Sequence, residues 1–137
     1  MKQNLDKVMN VVDIFKRLTT KHFNNFSLSY KIAKAYKELE SHKDFYVAEE
    51  RKLVNDYAMK DDKGQIIITN NNQIKFSTPE DAIKFNEGIV KLKSTEVEVF
   101  DPIELAISDF RKNEMDLTPI DILVLEDFII FKEEADC

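Results

Sequence analysis

The most regular pattern of hydrophobic positions lies between residues 28 and 57, a stretch that contains neither glycine nor proline. Four apolar or aromatic residues in this stretch are spaced seven apart: Ile32, Leu39, Tyr46 and Leu53. On a helix this spacing places them in one stripe along a single face. At a rise of about 1.5 Å per residue, such a helix is roughly 45 Å long. The pattern predicts one long helix with a buried stripe.

Three further segments show helical features. Apolar residues at intervals of three and four predict a helix over 5–18. Thr78-Pro79 opens another helix, to about Leu92, because threonine caps a helix and proline fits its first turn. Thr118-Pro119 repeats this start and precedes an apolar run to Phe131, which we interpret as a last helix.

Strands are predicted where β-branched or alternating residues occur. The segments 65–69 and 73–77 flank three asparagines, a residue that tolerates left-handed backbone, and this order predicts a β-hairpin. The segment 96–100 alternates, and 103–107 continues the alternation as a second short strand. The predicted fold class is α+β, with the long helix and two or three shorter helices packed on a small antiparallel sheet of 65–69, 73–77 and 96–100.

The composition is that of an ordinary globular protein. The chain has 137 residues, of which 43% are hydrophobic and 34% are charged, and no apolar run approaches the roughly 20 residues of a membrane span. We expect a single domain over 1–137, with an N-terminal helix and connector at 1–26 and the main core at 27–131. We expect no signal peptide and a cytoplasmic location. The only cysteine is Cys137, which excludes a disulfide framework.

Charge is distributed unevenly along the chain. Residues 1–95 contain 17 basic and 13 acidic residues, whereas residues 96–137 contain 3 basic and 13 acidic residues. The acidic last third is either a binding surface or an acidic end that faces the lysine-rich helices of the same chain.

The predicted last helix is apolar on nearly all sides, so it lies centrally in the core or is half-buried in a partner. A homodimer is the simplest partner, and we expect one. The candidate interaction surface combines acidic and apolar residues of this region: Glu126, Asp127, Phe128, Ile130, Glu133 and Glu134.

No catalytic or cofactor-binding residue is predicted. The two glycines, Gly64 and Gly88, are too few for a phosphate-binding loop or a dinucleotide fingerprint. His42 lies four residues after Glu38 on the long helix, so it is either a general base oriented by that carboxylate or a histidine with a local hydrogen bond.

Two clusters of charged residues are candidate binding sites. Five carboxylates could in principle hold magnesium: Glu49, Glu50, Asp56, Asp61 and Asp62. Basic neighbours favour a solvated, salt-bridged face instead, and we predict no metal site. Three lysines near the start of the long helix could contact phosphates: Lys31, Lys34 and Lys37. The acidity of the chain argues against nucleic acid, so an exposed lysine face is the preferred interpretation.

Several short motifs occur in an order shared with a known family: residues 28–34, 50–54, 57–64, 95–99 and Leu117-Thr118-Pro119. In this order the chain resembles a family of small bacteriophage proteins of unknown function from phages and prophages of low-GC Gram-positive bacteria. The resemblance covers roughly residues 28–131. It implies a phage or prophage origin and carries over no active site.

The sequence therefore leads to a ranked set of functional hypotheses. The first is a non-enzymatic, phage-encoded binding protein that engages a host component such as a defence or replication factor. The alternatives are an accessory protein of virion assembly and a protein that binds a small nucleotide between subunits. A metal-dependent hydrolase comes last. We expect a protein partner, and no cofactor, membrane or nucleic acid.

Overall fold

The computed structural model describes residues 1–110 and 116–132. The chain divides into two compact units. The first combines Met1–Lys43 with the described residues from Glu96 onward, and the second is Asp44–Thr95. The predicted subdivision at residues 26 and 27 does not coincide with these units, because the N-terminal helix contributes to the core of the first unit.

The first unit begins with a short strand, β1 (Lys2–Asn4), and the helix α1 (Leu5–Leu18). The helix has its predicted bounds. It begins where it does because the side chain of Asn4 accepts a hydrogen bond, 2.9 Å long, from the backbone N–H of Lys7. One face of α1 is buried in the core through seven residues: Leu5, Val8, Val11, Val12, Ile14, Phe15 and Leu18.

The predicted long helix is confirmed as α2 (Phe26–Tyr57). Its stripe is buried at Ile32, Leu39 and Tyr46, while Leu53 is half-buried. The residues of α2 up to Lys43 belong to the first unit, and the later ones belong to the second.

Two small sheets complete the described part of the first unit. The strand β2 (Glu96–Glu98) pairs antiparallel with β1. The strand β3 (Ile103–Ala106) pairs in parallel with β4 (Ile129–Lys132), so that Glu104 lies opposite Ile130. A single 3₁₀ turn follows β3 at Ile107–Asp109.

The α+β class is confirmed, but the predicted sheet is wrong. The segment 96–98 pairs with residues 2–4, whose sequence gives no strand signal, and the hairpin of 65–69 and 73–77 belongs to the second unit. Alternation of side chains identifies a strand without identifying its partner, which is chosen by contacts distant in sequence.

The last predicted helix is wrong in its extent. The helix α4 spans only Pro119–Leu125, and the rest of the apolar run forms β4. A continuous apolar run fits a buried helix and a buried strand equally well. Ile129 is 1% exposed whereas Ile130 is 48% exposed, which is the alternation of a strand.

The second unit contains the helix α3 (Pro79–Ser94) and the predicted hairpin. The hairpin is confirmed, since the backbone N–H of Thr69 donates to the carbonyl of Gln73 at 2.7 Å. Asn72 has a φ of 60°, the left-handed conformation expected of the asparagine turn.

Three backbone segments close into a ring in this unit. The N–H of Met59 donates to the carbonyl of Lys75 at 2.8 Å. The N–H of Lys75 donates to the carbonyl of Ile67 at 3.1 Å. The N–H of Ile67 donates back to the carbonyl of Met59 at 3.0 Å. Each segment therefore bonds to both of the others, and the hairpin needs no larger sheet.

In the second unit α3 also packs closely on α2. A Cβ atom placed on Gly88 of α3 would lie 2.6 Å from Cδ2 of Leu53 on α2. A side chain at position 88 would therefore require the Leu53 side chain to shift, whereas the backbone of Gly88 is ordinary helix.

We expect Gly88→Ala to lower the free energy of unfolding, because the added methyl group overlaps Leu53. In an unconstrained helix the same change stabilises by about 0.5–1 kcal/mol. In a Leu53→Ala background, where the space is free, Gly88→Ala should therefore raise stability. Urea unfolding of the wild type, both single variants and the double variant gives the coupling energy, expected to reach about 1 kcal/mol. Additive effects would contradict the close approach.

Candidate functional site: a groove beside the long helix

A groove of about 720 Å³ lies in the first unit, beside the first turns of α2. Its volume falls within the range of ligand-binding clefts, about 300–1,000 Å³. One wall is the helix, and the other is the segment 100–104, which leads into β3. We refer to this feature as the helix–strand groove.

The helix wall carries two lysines. Ser27, Lys31, Lys34 and Glu38 all line the groove, since their spacing of three and four places them on one side of α2. Both lysines are exposed, and neither forms an ion pair with any residue in the described ranges. The unpaired charge along this wall is therefore two lysines against the single carboxylate of Glu38.

The floor of the groove is apolar. The helix supplies Leu28 and Ala35, both buried, and the opposite segment supplies Phe100 and Ile103. Ile130 of β4 also lines the groove and is 48% exposed. An occupant of the groove would remove apolar surface of this kind from water, a favourable contribution to binding.

The carboxylates on the strand wall already have partners. Asp101 Oδ1 accepts a hydrogen bond from the N-terminal amine of Met1 at 3.4 Å. Glu104 Oε2 lies 2.6 Å from Lys132 Nζ. Their charge is thus partly balanced within the unit, whereas no described residue pairs with Lys31 or Lys34.

The candidate surface predicted from the sequence does not form as one site. Phe128 is 1% exposed, so its place in an exposed surface is wrong: it belongs to the core. Asp127 pairs with Lys7 at 3.1 Å, and Glu126 is exposed. Of the six residues Ile130 is the one that lines the groove, while Glu133 and Glu134 lie outside the described residues.

Much of the acidic last third is engaged within the first unit. Three of its carboxylates pair with basic residues of α1 and the turn after it: Asp127 with Lys7 at 3.1 Å, Asp121 with Arg17 at 3.0 Å and Asp116 with Lys21 at 3.5 Å. This arrangement agrees with the interpretation that the acidic end faces basic helices of the same chain.

The other candidate chemical residues form contacts within the chain. The Nε2 atom of His42 lies 2.9 Å from the carbonyl oxygen of Glu98, 56 residues later in the sequence, so this histidine is hydrogen-bonded to the backbone of another segment. Glu49 pairs with Lys52 at 2.8 Å. Asp61 Oδ1 accepts two backbone N–H bonds within its own turn. Within residues 1–110 and 116–132, no group of three His, Cys, Asp or Glu side chains could hold a metal ion.

Comparison of the chain with protein families, curated proteins and solved structures finds no match in any of the three. None of the helices in the described part of the chain is both long and apolar enough to cross a membrane.

Sequence reasoning located one wall of the groove and missed the other. The spacing of Lys31 and Lys34 indicated an exposed basic face on α2, which the structure shows. Asp101 and Glu104 gave no local signal, because the helix wall that they face is distant from them in sequence.

Asp121 is held by both a backbone N–H and an arginine. Its side chain is 13% exposed and accepts a hydrogen bond from the backbone N–H of Thr118 at 3.1 Å. Thr118 Oγ1 in turn accepts from the N–H of Asp121, which closes a capping box at the start of α4. The Thr118 N–H first, and then the Arg17 guanidinium, hold the pKa of Asp121 below its usual value, against the opposing effect of desolvation.

A lowered folded-state pKa means that Asp121 stabilises the fold above its unfolded pKa of about 3.9 and loses this effect as the pH falls toward the folded value. We expect Asp121→Asn to cost about 1 kcal/mol at neutral pH. The difference from the wild type should shrink below about pH 4, as measured by thermal unfolding at a series of pH values. Asp116→Asn is the control, since that carboxylate is 80% exposed. A difference that is constant down to about pH 2 would contradict the assignment.

Proposed function

We propose that this chain is a non-enzymatic binding protein, encoded by a bacteriophage or prophage, that engages a protein of the host bacterium in its cytoplasm. The partner class is a defence or replication factor. The helix–strand groove is the proposed binding site. The observation that carries the proposal is the pair of lysines, Lys31 and Lys34, which stand unpaired within the described residues above an apolar floor. The resemblance to phage proteins supports the origin.

A protein segment fits this groove better than a nucleotide. A nucleotide would place several negative charges close together, and the groove is lined by four carboxylates: Glu38, Asp101, Glu104 and Asp109. These groups would repel a phosphate chain. A polypeptide can instead place one acidic side chain at the lysines and apolar groups on the floor, which matches the mixture of charge and apolar surface.

Charge reversal on the helix wall tests this function. We expect Lys31→Glu combined with Lys34→Glu to weaken partner binding at least about tenfold, since attraction becomes repulsion at the site. The control is Lys16→Glu with Lys37→Glu, which makes the same change of net charge at exposed positions that do not line the groove.

The measurement is affinity capture with chemical cross-linking from a lysate of a low-GC Gram-positive bacterium. Proteins retained by the wild type and the control pair, but lost with the groove pair, are the expected partners. Equal capture by both double variants would refute the groove as the binding site.

A second candidate function, assembly of the phage particle, is favoured by the exposed face of α4. Ile120 is 71% exposed and Leu123 is 65% exposed, and their spacing of three places them side by side. An apolar pair on a short helix is suited to contact between copies of the chain, as in the predicted homodimer.

For self-association through α4, we expect a mass near twice 16.0 kDa in sedimentation at micromolar concentration. Ile120→Asp or Leu123→Asp should shift the population to monomer without loss of helix content. Val90→Asp is the control, because Val90 is an exposed apolar residue on α3, 65% exposed. Phe128→Asp is unsuitable, since a buried charge at that position would unfold the first unit. A wild-type chain that is monomeric at every concentration would exclude this candidate.

A further inference from the structure

The second unit, Asp44–Thr95, buries few apolar side chains. Two are buried, Tyr46 of α2 with 6% exposure and Leu92 of α3 with 8%. Every other buried apolar side chain of the described residues belongs to the first unit. Four large apolar side chains of the second unit are instead between 47% and 65% exposed: Phe45, Ile68, Ile83 and Val90. The second unit therefore exposes more large apolar side chains than it fully buries.

The balance in the first unit is the reverse. Its core is one continuous cluster that draws on α1, the first turns of α2 and the strands, through residues such as Phe15, Ile32 and Leu105. Removal of apolar surface from water is the main favourable term in folding, whereas every ordered residue costs conformational entropy in either unit. Because the second unit buries less apolar surface for each residue that it orders, we expect it to be the less stable of the two.

Ion pairs do not make up this difference. Within the second unit Glu49 pairs with Lys52 at 2.8 Å, and Glu80 pairs with Lys84 at 3.3 Å. Each pair joins residues three or four apart on one helix, so neither links one segment of the unit to another. Pairs of this kind at the protein surface contribute little to stability.

The contacts that do link the segments of the second unit make it cooperative. The backbone ring joins the end of α2 to both strands of the hairpin. The rings of Phe76 in the hairpin and Phe85 in α3 lie 5.3 Å apart between centroids, and Leu53 of α2 packs against Gly88 of α3. Each of the three segments thus contacts both of the others. Loss of one segment removes contacts from the remaining two, so they are expected to unfold together.

We propose that Asp44–Thr95 is a local unfolding unit, which unfolds and refolds as one body while the first unit stays folded. Proteins open in contiguous cooperative units of this kind, at free energies below that of global unfolding. In the open form α2 ends near Lys43. The residues that line the helix–strand groove all belong to the first unit, so the groove is retained. The inference goes beyond the proposed function, which concerns the groove alone.

Native-state hydrogen exchange of the full chain, followed by NMR at individual amides, tests this proposal. We expect protection in the second unit to be at least about tenfold lower than in α1. The ring amides of Ile67 and Lys75 and the interior amides of α3 should report one common opening equilibrium. Protection equal to that of α1 would overturn the proposal. So would protection that declines gradually along α2 while α3 stays as protected as α1, because that is fraying of one helix end.

A matched pair of leucine deletions separates the two units. Leu92→Ala removes a buried side chain from the second unit, and Leu18→Ala removes one from the first. We expect Leu92→Ala to accelerate exchange in all three segments of the second unit by a common factor of at least about ten, with α1 unchanged. Leu18→Ala should accelerate α1 and leave the second unit within about threefold of the wild type. If Leu18→Ala does not fold, Val11→Ala makes a smaller deletion on the same helix.

Every result of the Leu92→Ala measurement bears on the proposal. Complete loss of protection over 44–95 with α1 still protected would support it, so a variant whose second unit is unfolded remains informative. Equal acceleration of α1 and the second unit would overturn it, because the chain would then unfold as one body. Acceleration confined to α3 would also overturn it, since the segments of the unit would then open separately.

Discussion

Contact among three phenylalanine rings determines the arrangement of the first unit. Phe15 lies 5.5 Å from Phe100 and 6.4 Å from Phe128, and Phe100 lies 6.0 Å from Phe128, measured between ring centroids. The rings come from α1, from the link before β3 and from the link before β4. Each ring brings a large apolar surface, roughly 150–250 Å², to the core. Because Phe100 adjoins the strand wall and Phe128 adjoins β4, packing of these rings on α1 also positions the groove.

The helices were predictable because their signals are local. The starts of α1, α3 and α4 each have a capping side chain, at Asn4, Thr78 and Thr118, that accepts a hydrogen bond from a backbone N–H three residues later. The end of α4 was not predictable in this way, since the apolar run after it continues. What stops the helix is the burial of Phe128 in the ring cluster and the pairing of Ile129 with Ile103, two contacts distant in sequence.

The contrast between local signals and contacts distant in sequence also explains which parts of the groove could be predicted. The lysines of α2 could be assigned to one exposed face from their spacing, as could the buried stripe beside them. The strand wall could not be found, because the helix wall that Glu104 faces is distant from it in sequence. Phe128 was assigned to a surface because the predicted helix is apolar on all sides, whereas in the structure Phe128 precedes β4 and packs on Phe15 and Phe100.

The pairing of charges in the first unit decides which of them are available to a partner. Acidic residues of the last third are matched by Lys7, Arg17 and Lys21, and Glu104 is matched by Lys132. Exposed pairs of this kind contribute little to stability, about 0–1 kcal/mol each. Their larger consequence is for the groove, because they pair the carboxylates of the strand wall and leave the lysines of the helix wall without a described partner. Among the described residues Lys31, Lys34 and Glu38 of the helix wall form no ion pair, whereas Asp101 and Glu104 of the strand wall do, so the internal pairs leave the helix wall as the side of the groove with open charges.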